Sequence, residues 1–381
     1  MANLIGSAPN QISTNNMLGT AAFVDVSSIQ GASLTVSLSS TGGDDSILIQ
    51  TAINNANQLA TATQQRSRIN IVLSEGEYSI TSQIIVKKHV NIICEGIIIN
   101  NLVSKTTPCI VFKAGSATDR LVIWGNLGSG VVFGDAATDN DLQIGEVRIL
   151  NIGEESGKTA CRFVGYNFTA ESIDIDGGNV GVDIGDGAGV GASDIRIDKT
   201  LIYSSSTGLR ISSGSEHIYI GYLGIDSINS LGIQIDSGHD IVIDDFICFY
   251  NNQLVGAVYD SGYAVLLGQF SGASPNDVSG LTMSGRIINT GKDAITGTAI
   301  KLSNINHSKL SLDINNSTLL TGNSSPIIKG IEYGTGVGSM VRINTNISPD
   351  ITTIIVGTRQ GYLEYWNGTN HKVSHSPSII V

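Results

Sequence analysis

Aspartates recur at alternate positions of short isoleucine-rich segments, and carboxylates so spaced can move protons, hold a cation or grip sugar hydroxyls. Ser172-Ile-Asp174-Ile-Asp176 is followed by Asp194-Ile-Arg196-Ile-Asp198, His217-Ile-Tyr219-Ile-Gly221 and Asp240-Ile-Val242-Ile-Asp244. The last three copies lie about 23 residues apart and the first about 22 before them, a coil-length period. Alternation of this kind marks half-buried strands, with isoleucines inward and their neighbours outward. Stacking the copies makes a grid with rungs about 4.8 Å apart and outward neighbours about 6.6 Å apart along each strand. Asp176 is then expected beside Asp198. Asp198 and Asp244 face each other about 9.6 Å apart across the notch at Gly221.

Three chemistries fit such a grid. Glycoside hydrolysis needs two carboxyl groups, about 5 Å apart for retention and roughly 6.5–9.5 Å for inversion. Asp176 with Asp198 approaches the first spacing and Asp198 with Asp244 the second, so these three are the catalytic candidates. Like charges a rung apart raise one pKa, as an acid catalyst requires. Alternatively, Asp174, Asp176 and Asp198 hold Ca²⁺ against a uronic acid while Arg196 or Tyr219 removes a proton in β-elimination. In the third reading the patch only binds sugar, with Tyr219 stacking on a ring. Asp174, Arg196 and Tyr219 are the substrate-binding candidates, extended by Asp226 and Tyr250 in a neighbouring outward column with Tyr203. A solvated ladder or a face between subunits would show the same pattern. The column Asp194–His217–Asp240 reads as an ion pair rather than a proton relay. No serine stands in a strand-to-helix elbow, so a Ser-His-Asp hydrolase is not indicated.

Repeating strands must be carried by repeating coils. Gly208-Leu-Arg-Ile211 recurs as Gly232-Ile-Gln-Ile235, and Gly181-Val-Asp-Ile184 precedes the first by about 27 residues. Two or three strands per repeat, divided by Gly, Ser and Asn turns, describe an all-β solenoid. Only 14% of residues are charged, which suits stacked polar ladders. The formal net charge of −12, with no basic stripe, disfavours nucleic acid. No apolar run is long enough to span a membrane, and the first residues lack a signal-peptide layout. The four cysteines stand singly in apolar strands, without the CxxC pair that zinc or redox readings need, and are expected as buried free thiols rather than disulfides.

One helix is expected, about 45–62, opened by Asp45 or Ser46 as N-cap and carrying a stripe of Ile47, Ile49, Ile53, Ala56 and Leu59. A helix across the first coil would cover its open edge. The run Gly43-Asp-Asp-Ser-Ile-Leu-Ile-Gln-Thr-Ala-Ile, followed by Ile71-Val-Leu-Ser-Glu-Gly-Glu-Tyr-Ser-Ile80, resembles the opening of pectate-lyase-like right-handed β-helix proteins. Ser74 stands where that superfamily usually has Pro. Gln11-Ile-Ser-Thr-Asn-Asn-Met-Leu-Gly-Thr-Ala-Ala-Phe23 is similar to a segment near the start of phage tail adhesins.

The resemblance implies a single-stranded right-handed parallel β-helix over 43–345, in the branch of bacteriophage tailspikes and capsule depolymerases. Residues 1–42 would be a virion-attachment segment and 346–381 a capping or trimerisation segment. It further implies a homotrimer on the phage tail, attached to a tail, baseplate or adaptor protein and acting on bacterial capsule or lipopolysaccharide glycan. No cofactor is expected, except Ca²⁺ if the enzyme is a lyase. Residues 251–261 read as an inserted loop that walls the groove and brings Asp260. Tyr362-Leu-Glu-Tyr-Trp-Asn367-Gly368 reads as a closing hairpin.

Overall fold

Strand after strand in this chain pairs in parallel with the strand one coil ahead, and the result is a right-handed parallel β-helix. The structure is a computed structural model. It describes residues 11–13, 34–62, 68–125, 128–212, 214–226, 228, 230–250, 263–268, 277–289, 297–316, 327–334, 340–348, 351, 353–356, 362–366 and 371–374. The expected inserted loop, with Asp260, lies outside the described residues. So does the Asn367–Gly368 turn.

Each central coil contributes one long bent strand and one short strand. Gly165–Gly177, Ala192–Tyr203, Ser215–Asp226 and Gly238–Tyr250 stack in the long sheet. Thr159–Phe163, Val180–Ile184, Thr207–Ile211 and Leu231–Ile235 stack in the short one. The bend divides the long strand into a first and a second face, and the short strand forms the third. Two consecutive outward residues mark the bend, Asp198 with Lys199 and Asp244 with Asp245, after which the inward parity is reset.

Apolar side chains fill the interior as ladders. Ile195, Ile218 and Ile241 stack in one column, and Ile197, Ile220 and Ile243 in the next, all essentially without exposure. Phe112, Phe133 and Phe163 stack with ring centroids 5.0 and 5.3 Å apart. Cys94, Cys109, Cys161 and Cys248 are free and buried within these ladders, and burial pushes the Cys109 and Cys248 thiols up to about 12. They behave as small hydrophobes.

The helix spans Ser46–Ala62. It buries Ile49, Ala52, Ile53, Ala56 and Ala60, with Leu59 half-buried against the core. Ile47 departs from the expected stripe and is 77% exposed. Its spacing of two from Ile49 puts it on the opposite side of a helix whose period is about 3.6 residues. The Asp45 carbonyl accepts the first helical bond from Ile49 at 3.0 Å, which makes Asp45 the N-cap. Its buried carboxylate turns back to Thr41, whose N–H and hydroxyl donate at 2.8 and 2.7 Å.

Asp44 instead satisfies the helix entrance. Its carboxylate accepts from Ser46 N at 3.0 Å and from the Ser46 and Thr81 hydroxyls at 2.5 and 2.6 Å. These bonds, led by Ser46, hold its pKa down at about 2. Gln50 closes the sheet edge: its amide donates to the Ile85 carbonyl at 3.1 Å and accepts from the Ile85 N–H at 2.8 Å. One side chain does there what a neighbouring strand would do.

Parallel pairing reaches beyond 43–345 on both sides. Thr35–Leu38 pairs with Ile69–Leu73, and Tyr362–Trp366 with Arg342–Ile347. The expected hairpin is present: Tyr362–Trp366 runs antiparallel to His371–Ser374.

Candidate functional site

The grid predicted from sequence is right for three rungs and wrong for one. Arg196 pairs with Tyr219 and Tyr219 with Val242, while Ile197, Ile220 and Ile243 are matched just before the bend. Asp198, Gly221 and Asp244 therefore form one outward column, as expected. Asp174 and Asp176 do not join it. Ile173, Asp174, Ile175 and Asp176 pair with Thr200, Leu201, Ile202 and Tyr203, which lie past the bend on the second face.

The strand below Asp194–Asp198 is the unpatterned Asn167-Phe-Thr-Ala-Glu171. Thr169 pairs with Arg196 and Ala170 with Ile197, which sets Glu171 under Asp198. The sequence held the signal for this. A coil has one length at a given level, so the offset of about 27 between Gly181 and Gly208 applies to the long strand too, and it carries Asp198 back to Glu171. The offset of about 22 matched similar letters on different faces.

Continuing downward, Gly145 stands under Glu171 and Asp119 under Gly145, between the matched pairs Ile144–Thr118 and Glu146–Arg120. The full column is Asp119, Gly145, Glu171, Asp198, Gly221, Asp244. Both glycines are steric necessities. A Cβ at Gly221 would lie 2.7 Å from the Asp198 carbonyl oxygen, and one at Gly145 would collide with that of Asp119. The missing side chains leave notches between acids.

The lower notch opens into a cleft of about 440 Å³, lined by Thr118, Asp119, Gln143, Glu171, Arg196 and Asp198 among others. Glu171 and Asp198 are exposed on its wall, one rung apart. Arg196 reaches along its own strand to Asp198 at 2.9 Å and lies 4.7 Å over the Tyr219 ring. The Tyr219 hydroxyl donates to Asp244 at 2.6 Å. That bond, ahead of burial, raises the Tyr219 pKa. Asp198, Arg196, Tyr219 and Asp244 are thus one connected surface network.

Asp174 is engaged elsewhere, accepting from Arg148 Nε at 3.3 Å. Asp176, Tyr203 and Asp226 stack on the second face, where burial and the nearby Asp174 and Asp226 raise the Tyr203 pKa. Tyr250 does not complete that column. Its backbone pairs with Asn289, and the match between Ser215–Asp226 and Gly238–Tyr250 ends at Ile225 with Cys248. The calcium arrangement fails for the same reason of register. Asp174 and Asp176 sit on a different face from Asp198, and among the described residues no three His, Cys, Asp or Glu side chains converge as a metal site.

Asp194, His217 and Asp240 do form a column, with His217 Nδ1 3.4 Å from Asp194 and Nε2 3.7 Å from Asp240. Its origin is the backbone. All three have φ of 53°, and Asp141 and Asn167 at the same corner of earlier coils have 57° and 60°. Asn, Asp and His tolerate this left-handed region better than branched residues, so the corner selects those types without any catalytic demand.

A second charged ladder crosses the third face. Asp183 is fully buried between Arg162, which donates Nε at 3.0 Å, and Arg210, which donates Nε and Nη2 at 2.9 and 2.7 Å.

No family model matches this chain, and no curated protein matches it. Two solved structures are similar, both of the surface adhesin PfbA of Streptococcus pneumoniae. One is 11% identical over 87% of this chain and 96% of that chain, with a TM-score of 0.46. The other is 13% identical over 87% and 88%, with a TM-score of 0.47.

Proposed function

We propose that the chain binds a polysaccharide along its first face and hydrolyses it in the cleft, as a tailspike of the phage depolymerase kind. The observation that carries this reading is the stacking of Glu171 under Asp198 on the wall of a cleft of about 440 Å³, beside a tyrosine fixed from both sides. Their backbones stand one rung, about 4.8 Å, apart, which brings the two side chains within reach of the roughly 5–5.5 Å carboxyl separation of retaining glycosidases.

The two carboxyl groups differ in their surroundings. Asp198 is oriented by Arg196, which suits the group that must be aimed at the anomeric carbon. Glu171 has no hydrogen-bond or ion-pair partner among the described residues and is free to pass a proton to the leaving oxygen and recover it from water. Asp244 and Tyr219 extend the sugar-binding surface upward. Asp176 leaves the catalytic set for the second face, where it joins Tyr203 and Asp226. The calcium-assisted form of β-elimination loses the Asp174, Asp176 and Asp198 set on which it was placed.

Incubation with capsule or lipopolysaccharide preparations, with reducing ends counted over time, tests the proposal. New reducing ends that vanish in Glu171→Gln support it. A glycan that is bound but never shortened supports a second reading, a non-catalytic adhesin. That reading is favoured by the engagement of Asp198 with Arg196 and of Asp244 with Tyr219, since a network already satisfied makes a ready-made binding surface. Under either reading the remaining proposals stand together: a homotrimer, carried on the virion, with residues 1–42 contacting a tail, baseplate or adaptor protein and 346–381 closing the solenoid.

A further inference from the structure

The column that makes the site also restricts what can lie in it. Asp119, Glu171 and Asp198 line the cleft, and Asp244 continues the column above Gly221. Arg196 is the one basic side chain among the lining residues, and its charge is already committed to Asp198 and to the Tyr219 ring. Two described basic groups near the rim are held in place as well, one by an ion pair and one by hydrogen bonds. Arg120 faces Glu146 at 3.6 Å, and Arg68 donates to Gln143 at 2.6 Å and to the carbonyls of Gly115 and Asp141. Lys199 lies across the bend, on the second face. A carboxylate, sulfate or phosphate entering the cleft would meet three carboxyl groups, two of them charged while Glu171 holds the proton it delivers, against one lining cation, Arg196, that is already paired with Asp198. Hydroxyl and ammonium groups would meet acceptors.

Resting on the hydrolytic or binding reading above, we infer that the cleft takes a non-anionic stretch of glycan, neutral or bearing protonated amino sugars, and rejects uronic, sulfated and phosphorylated residues. The carboxylates that turn over the glycosidic bond act in the same site as a charge filter. Bound sugar hydroxyls donate to Asp119 and Asp198, while the Tyr219 face receives the apolar side of a ring. Selection of this kind works by penalty as much as by attraction, because an unpaired anion in the cleft costs its Coulomb repulsion and its lost hydration.

The test is an array of bacterial polysaccharides grouped by charge, probed with the intact protein at about 10 mM and 150 mM salt, where the screening length falls from about 30 to 8 Å. The expected hits are neutral and amino-containing glycans. Asp119→Asn with Glu171→Gln should then admit anionic glycans at low salt, with a gain of about threefold from Asp119→Asn and up to roughly tenfold for the pair at a pH where Glu171 is ionised. Anionic glycans among the strongest wild-type hits at low salt, whether or not salt weakens them, would overturn the charge filter and leave the glycan reading standing. An array with no hits in any class would overturn the glycan reading itself. Circular dichroism on the double variant separates a change of selectivity from misfolding.

Discussion

Two of the charged ladders on this solenoid differ in what surrounds them. On the third face Asp183 is wholly buried, and both its oxygens are taken by Arg162 and Arg210. On the first face Glu171 and Asp198 are exposed on a cleft wall, and Glu171 is unengaged among the described residues. A buried carboxylate with every lone pair occupied has no capacity left for a ligand, and removing it strands two cations. An exposed carboxylate beside a notch gives the fold little and keeps its acceptor capacity for a substrate. Stacked charges in a solenoid therefore divide by saturation, not by sequence.

The largest contrast is functional. Glu171→Gln and Asp198→Asn should each lower cleavage by about 10²- to 10⁴-fold with thermal midpoints held, as expected for loss of an acid or base at an exposed site. Asp176→Asn, on the neighbouring face, should leave the rate within about twofold. Equal losses in all three would erase the register distinction on which the site rests.

Asp183→Asn should reverse that pattern. Breaking its pairs should cost about 3 kcal/mol, toward the low end for buried pairs because both arginines keep some exposure, and activity per folded molecule should persist. Denaturant titration reads the first quantity and reducing-end release the second. An unchanged unfolding midpoint would make the third-face ladder as dispensable as a surface pair.

Asp194→Ala tests whether the corner column is backbone-driven. A loss of about 1 kcal/mol from the left-handed φ is expected, with cleavage intact. Asp194→Gly should recover most of it, which a proton relay would not.

The smallest effect is at the helix entrance. The Asp44 carboxyl is lowered to about 2 in the folded chain, against an ordinary value near 3.9. A depressed carboxylate pKa stabilises the fold above the unfolded value and loses that contribution as pH falls toward 2. Wild type should thus lose more stability than Asp44→Asn between pH 5 and pH 2, read as the difference in thermal midpoints. Parallel curves would place the acid sensitivity elsewhere.

Much of this was legible in the chain. Alternating Ile and polar residues announced the strands, and the rungs from Asp194 to Asp244 were aligned correctly because their spacing is uniform. The helix and its place over the first coil followed from an apolar stripe and an acidic entrance, with Ile47 the exception. Glu171 stayed hidden because its strand, Asn167-Phe-Thr-Ala-Glu171, lacks the repeated Ile-x-Ile letters. Asp119 stayed hidden in the same way, since Thr118-Asp-Arg does not resemble the other rungs.

By itself the sequence determined the solenoid class, the inward ladders and the kinds of residue that face solvent. Period-two alternation needs no partner to be read. Tertiary structure decided which outward residues share a column, because register accumulates over whole coils whose lengths vary, and a bend resets the parity within a strand. Asp176 and Glu171 exchange places on that account alone: five residues apart in the chain, they stand on different faces of the molecule, and only one of them meets Asp198.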